Sequence, residues 1–182
     1  DKMINLNALF VKRGWAELNP NGSIKNNWQV YAKSCDGSTY IYCKQTSHIQ
    51  PNQIFNTINQ VDGIEDIFTT DEIEAMGADK QATFMVEAKS GYYFTDEATG
   101  ETIESVTKDS IGQPNRYFGI HGSHPDKPNY ETTVCFYGPK IKKGHVIESA
   151  NLIDEAPTFA KLLNLETFPK ETDGTCIDDV FL

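Results

Sequence analysis

The side chains best suited to chemistry lie in one run, GIHGSHPDKPNY, residues 119–130. His121 and His124 stand three apart among glycines, prolines, a serine and an aspartate. So many Gly and Pro residues exclude a helix or a central strand. Neutral imidazole is a good donor to a borderline-soft ion such as zinc. Gly119 and Gly122, on either side of His121, would let backbone come close to an ion or a phosphate. Asp126 and Asp109 are the nearby carboxylates that could add a ligand or an outer contact. The competing reading is a solvated turn after a strand, and this spacing, off a helix, does not separate the two.

A metal site needs three or four ligands, and the other histidines do not converge on this run in the sequence. His48 precedes QPNQIF and reads as a polar loop residue near a helix N-terminus. His145 follows KIKKG and reads as solvated. There is no H-x-H, D-x-D or H-E-x-x-H. There is no G-x-S-x-G elbow, and Ser123 is adjacent to His124, a poor arrangement for a nucleophile and its base. The phosphate-cradling G-x-x-x-x-G-K-[ST] loop is absent. KIKKG, residues 140–144, could meet an anion but reads as a solvated charge run. GYYF, residues 91–94, could stack a base but reads as cross-strand packing.

The elements that must position these residues alternate. Residues 3–13 carry a partial helical stripe (Ile4, Leu6, Leu9, Phe10, Val11) stopped at Gly14. Trp28, Val30 and Ala32 alternate as a strand does, and STYIYCK, residues 38–44, is rich in β-formers. In QPNQIFNTINQV, Ile54, Phe55, Ile58 and Val61 share a helix face behind Pro51. GIEDIF reads as a strand. TTDEIEAMG reads as a short helix, with a capping box from Thr69 to Glu72 and a stop at Gly77. Residues 83–101 read as two strands around a turn at Ser90-Gly91. TTVCFYGP reads as strand then turn. NLIDEAPTFAKLLNLE reads as a helix with Phe159, Leu162 and Leu163 on one side. DGTCIDDVFL reads as a turn plus a short strand or anchoring segment. Residues from about 31 to 109 thus run β-α-β-α-β-β, a small α+β unit.

The chain has 182 residues and a net charge of −10, which argues against an exposed basic face for polymeric nucleic acid. A small phosphate compound is still compatible, because a metal ion can supply positive charge locally. No apolar run reaches the roughly 20 residues needed to span a bilayer. Cys35, Cys43, Cys135 and Cys176 form no C-x-x-C pair. Cys43 and Cys135 lie in strand-like runs and read as small buried hydrophobes, and unpaired thiols lean toward a reducing, cytoplasmic compartment.

Several runs in order resemble the C-terminal part of the type I phosphodiesterase and nucleotide pyrophosphatase family of the alkaline phosphatase superfamily. They are INLNALFVKRG, DGSTYIY, FMVEAKSGYYF, GIHGSHPDKPNYETTVCFYGPKIKKG, NLIDEAPTFAKLLNLE and the DG at 173–174. The stretch 119–144 is the most specific. The resemblance implies an α/β fold, α+β within this chain: the C-terminal part of an alkaline-phosphatase-like α/β/α sandwich with an inserted α+β cap. Residues 1–30 and 110–182 would belong to the main body and 31–109 to the cap. It implies two zinc ions held by three Asp and three His, with a Thr or Ser nucleophile attacking phosphorus to give a covalent enzyme intermediate. The nucleophile and the Asp-His-Gly motif are expected upstream of residue 1. Only the final histidine ligand falls in this chain. Counting back from Tyr137-Gly138-Pro139, and matching the glycine that follows, places it at His121, with His124 as runner-up. The implied partners are a small phosphate ester or nucleotide and the upstream segment, with no membrane and no polymeric nucleic acid. The 182 residues alone are expected to be inactive. The alternatives are a non-enzymatic binding or interaction module, and a phosphomutase or sulfatase relative of the same superfamily.

Overall fold

The structure, a computed structural model, describes residues 1–165 and 171–182. Two compact units divide the chain, Asp1–Glu131 and Thr132–Leu182.

The first unit is mixed α+β with two sheets. Strands β1 (Lys2–Ile4), β2 (Val30–Cys35), β3 (Ser38–Cys43), β4 (Ile64–Thr69), β5 (Phe84–Ala88), β6 (Tyr92–Phe94) and β7 (Ile103–Ser105) alternate with helices α1 (Leu6–Lys12), α2 (Pro51–Ile58) and α3 (Thr70–Ala75). The larger sheet has the order β2-β3-β5-β4 and is antiparallel throughout. In the smaller sheet β1 lies between β6, parallel to it, and β7, antiparallel to it.

Local chemistry explains most of these elements. The β-branched and aromatic residues of STYIYC suit the pleated centre of the sheet. Helix α2 begins at Pro51, carries a reciprocal cap between Gln50 and Gln53, and buries Ile54 and Ile58. Helix α3 begins on the expected capping box, where the Thr69 N–H donates to Glu72 Oε2 at 2.7 Å. Strand β5 is buried along its whole length. Its two faces differ: Phe84, Val86 and Ala88 meet the core of α1 and α2, while Met85 joins Ile73 and Ala82 on the opposite side.

Three expectations change. The first residues form strand β1 before the helix starts, because Met3 and Ile4 are taken up by pairing on both sides. β5 and β6 are not partners; the turn at Ser90-Gly91 carries the chain from one sheet to the other. The compact units divide at residue 131, not at the expected boundaries of 30 and 109. β1 sits inside the smaller sheet, and Leu6, Phe10 and Trp15 share one core with Ile41, Ile54 and Val86. Residues 1–30 therefore pack with 31–109.

Asn7 makes that joining specific. It is fully buried in α1, accepts from the Ala32 N–H at 2.8 Å and donates to the Ala32 carbonyl at 2.8 Å. It thereby satisfies the free edge of β2 as another strand would.

In the second unit, a 3-10 turn at Leu152–Asp154 leads into helix α4 (Glu155–Leu163). The tail anchors as expected: the Lys142 N–H donates to the Val180 carbonyl and the Leu182 N–H to the Lys140 carbonyl, at 2.9 and 3.1 Å. The TTVCFYGP stretch forms no strand among the described residues, and Cys135 is exposed rather than buried. A strand needs a neighbour's N–H and C=O groups, and none of the unit's described segments pairs with it. Helix α4 also turns unexpectedly. Thr158 and Ala160 are buried, while Phe159 and Leu163 are 42% and 65% exposed. The Thr158 hydroxyl donates to the Asp154 carbonyl and accepts from the Ile177 N–H at 2.6 and 2.9 Å, which sets the inward face.

Asn7→Ala leaves both buried Ala32 backbone groups unpaired. Thermal or urea unfolding of this variant should show a loss of about 2–3 kcal/mol.

Candidate functional site

The 119–130 run lies over the β2–β3 turn and the outer side of β5. Gly37 donates its N–H to the His121 carbonyl at 2.8 Å, and the Ser38 hydroxyl donates to the Gly122 carbonyl at 2.6 Å. The Ser123 N–H donates to the Tyr130 hydroxyl at 3.0 Å. Glu87, whose side chain is 3% exposed, accepts from the His124 N–H at 3.0 Å and from the Lys127 ammonium at 2.9 Å. Lys127 also reaches Glu65 at 2.6 Å and the Ala88 carbonyl. Burial works against the charge of Lys127, but Glu65 and Glu87 outweigh it, and its ammonium titrates above the usual lysine value.

This closeness depends on two glycines. At Gly37 a Cβ would run into Ser123, and at Gly122, with φ +74°, it would run into the Cys35 carbonyl. Gly122, beside His121, therefore serves the approach of two protein backbones rather than that of an ion or phosphate.

The two histidines have different surroundings. The His124 ring stacks on Phe68 with centroids 5.2 Å apart, and its Nε2 lies 3.0 Å from Met76 Sδ. Its Nδ1 accepts from the Asp126 N–H at 3.2 Å, so the proton belongs on Nε2. Both ring nitrogens of His124 are engaged. His121 has a fixed backbone and a side chain 85% exposed. Its Nε2 lies 3.4 Å from Asp36 Oδ2.

Asp36 is the residue the sequence reading passed over. It occupies the β2–β3 turn with φ +64°, and its other carboxylate oxygen accepts from the Tyr117 hydroxyl at 2.7 Å. Tyr117 stacks on Tyr93 with centroids 4.8 Å apart. Next to it, Arg116 bridges Glu97 and Glu104 at 3.1 and 2.9 Å. Burial, then the Asp36 carboxylate, push the Tyr117 phenol well above its usual range, so it stays a donor. The only hint in the sequence was an Asp-Gly pair between two strands, a turn signal. That the turn meets a loop 85 positions later is a matter of tertiary packing.

Of the other expected residues, Asp126 is turned to solvent with its carboxylate 4.0 Å from His124 Nδ1, and Asp109 is exposed in a 3-10 turn. His48 and His145 are exposed loop residues, as read. Among the described residues no group of three His, Cys, Asp or Glu could hold a metal. GYYF is packing: Tyr93 and Phe94 are buried, and the Tyr92 hydroxyl donates to Asp62 at 2.7 Å. All four cysteines are free thiols. No described helix is long and apolar enough to cross a membrane.

The chain matches no protein-family model, no curated protein and no solved structure.

The anchoring of the loop can be tested directly. Lys127→Ala leaves the buried Glu87 carboxylate without its cation and should lower unfolding free energy by about 3 kcal/mol. Because the folded-state value of Lys127 is raised, its contribution is present below the usual lysine value of about 10.4 and fades as pH climbs through the raised one. Chemical denaturation at a series of alkaline pH values should therefore show a decline in the wild type that is shallower in Lys127→Ala.

Proposed function

We propose that this chain belongs to a metal-dependent hydrolase of phosphate esters, of the phosphodiesterase and nucleotide pyrophosphatase kind, and contributes His121 as one ligand of a divalent ion. The observation that carries the reading is the contrast within a single loop. Neighbouring carbonyls and N–H groups are tied down, His124 is packed away, and His121 alone projects its imidazole outward beside a carboxylate. The cost of holding a backbone still is recovered at a ligand, where a fixed donor loses little freedom on binding.

An exposed imidazole suits one corner of a zinc site, and among the described residues no group of three ligands completes it; in this reading the remaining ligands and the Thr or Ser nucleophile come from elsewhere in the enzyme. When bound, a divalent ion supplies Lewis acidity toward a phosphoryl oxygen and positive charge. The second matters here, because a chain of net charge −10 repels a phosphate ester. The work of this chain's residues is to present the His121 lone pair at a set place. The finer fold we propose is the alkaline-phosphatase-like sandwich with the α+β portion as its cap. The outward Tyr137, Val146, Leu152, Phe159 and Leu163 of the second unit support that reading, since the rest of the main body would cover them. The substrate class is a small phosphate diester or nucleotide.

Hydrolysis of a p-nitrophenyl phosphodiester with added zinc is the measurement. The 182 residues alone should show no turnover, and zinc-dependent turnover by them would refute the division of labour proposed here. In a longer protein carrying an upstream Asp-His-Gly and a Thr or Ser nucleophile, His121→Ala should lose more than about 100-fold in rate. His124→Ala should keep most of it once corrected for folded protein. If neither change matters, His121 is not a ligand.

A further inference from the structure

We propose that Asp36 is a positioning residue for His121, and that Tyr117 locks Asp36 in that role. The purpose of this device rests on the metal reading above; its geometry does not.

Each polar group of Asp36 has a definite neighbour. Its N–H donates to the Ser34 hydroxyl at 3.0 Å, and its carbonyl accepts from the Phe94 N–H at 2.7 Å. Oδ1 takes the Tyr117 hydroxyl at 2.7 Å. That leaves Oδ2, 3.4 Å from His121 Nε2. The carboxylate is 23% exposed against 85% for the imidazole. One of the two groups is thus held in the protein and the other extends from it. An ordinary surface ion pair joins two mobile side chains and contributes little. Here one partner is held by the Tyr117 hydroxyl, so the carboxylate offers the imidazole a set point of attraction at ion-pair distance.

The chemical consequence follows from the two ring nitrogens. A carboxylate facing Nε2 favours the tautomer with the proton there, which leaves the Nδ1 lone pair free as the donor. A carboxylate behind a ligating histidine also raises the basicity of the ligating nitrogen and narrows the ring's orientation. Tyr117 acts one step further back. Its hydroxyl occupies Oδ1, so the carboxylate cannot rotate away, and the Tyr93 stack keeps the phenol in place. The left-handed backbone at residue 36 is one that Asp and Asn accept readily. Asp36→Asn therefore changes the charge without disturbing the turn, and Asp36→Gly removes the side chain at the same φ.

The experiment is NMR on the 182-residue chain with ring-15N histidine, at about pH 8.5, roughly two units above the ordinary imidazole value. Wild-type His121 should show the Nε2–H tautomer and a single χ1 rotamer. In Asp36→Asn and Asp36→Gly both tautomers and averaged rotamer couplings should appear, with backbone amides away from the loop unchanged. Tyr117→Phe should fall between. A mixed tautomer in the wild type, or a His121 ring indifferent to all three changes, overturns the proposal. In the longer metal-loaded protein, chelator competition should show about 10–100-fold weaker zinc binding for Asp36→Asn. If zinc and activity prove indifferent to His121 while the NMR signature holds, the metal reading falls and the pairing stands. If the ring is indifferent to Asp36 while His121→Ala abolishes activity, the reverse is true.

Discussion

Glu87 is the constraint on which the course of the 119–130 loop depends. It lies in a strand that is otherwise apolar, with a side chain almost removed from water. An unpaired carboxylate at such a depth costs several kcal/mol. The chain meets that demand with an ammonium and a backbone N–H, both drawn from the 119–130 run. A buried pair of this sort adds little net stability over a hydrophobic replacement, but it admits few arrangements. The glutamate thus selects one path for a loop that has no ladder or helix to hold it.

That path determines which histidine is offered to solvent. Lys127 and the His124 N–H hold the loop at one end, and the Gly37 N–H on the His121 carbonyl and the Ser38 hydroxyl on the Gly122 carbonyl hold it near the other. Between them His124 falls onto Phe68 and finishes the apolar cover begun by Ile73 and Met85. His121 points the other way, toward the turn that carries Asp36. Two identical side chains three positions apart acquire opposite roles because the sheet lies under one of them.

The two units differ in how far they satisfy themselves. In the first, apolar residues close into a main core and two smaller clusters, and even the edge of β2 is matched by Asn7 at Ala32. Among its described residues the second buries the apolar Ile141, Ala160 and Val180 and the polar Thr158, and leaves Tyr137 and Val146 at the surface. Its one amphipathic helix takes its inward face from the hydrogen bonds of a threonine rather than from its leucines.

The sequence by itself determined the local elements. The Pro51 start of α2, the capping box of α3, the β-rich run of β3 and the Gly/Pro-rich character of the 119–130 loop depend on residues within a few positions of one another, so they were legible. The composition of the loop that carries His121 was legible in the same way. What only the tertiary structure decided involves distant partners. That β1 pairs with β6 and β7, that β5 and β6 part company, that Gly122 serves a backbone crossing, and that Asp36 faces His121 all depend on contacts across many tens of residues. Side-chain spacing along a chain encodes periodicity. It carries no record of which distant carbonyl or carboxylate will fill the space opposite, because that is settled by the packing of the whole core.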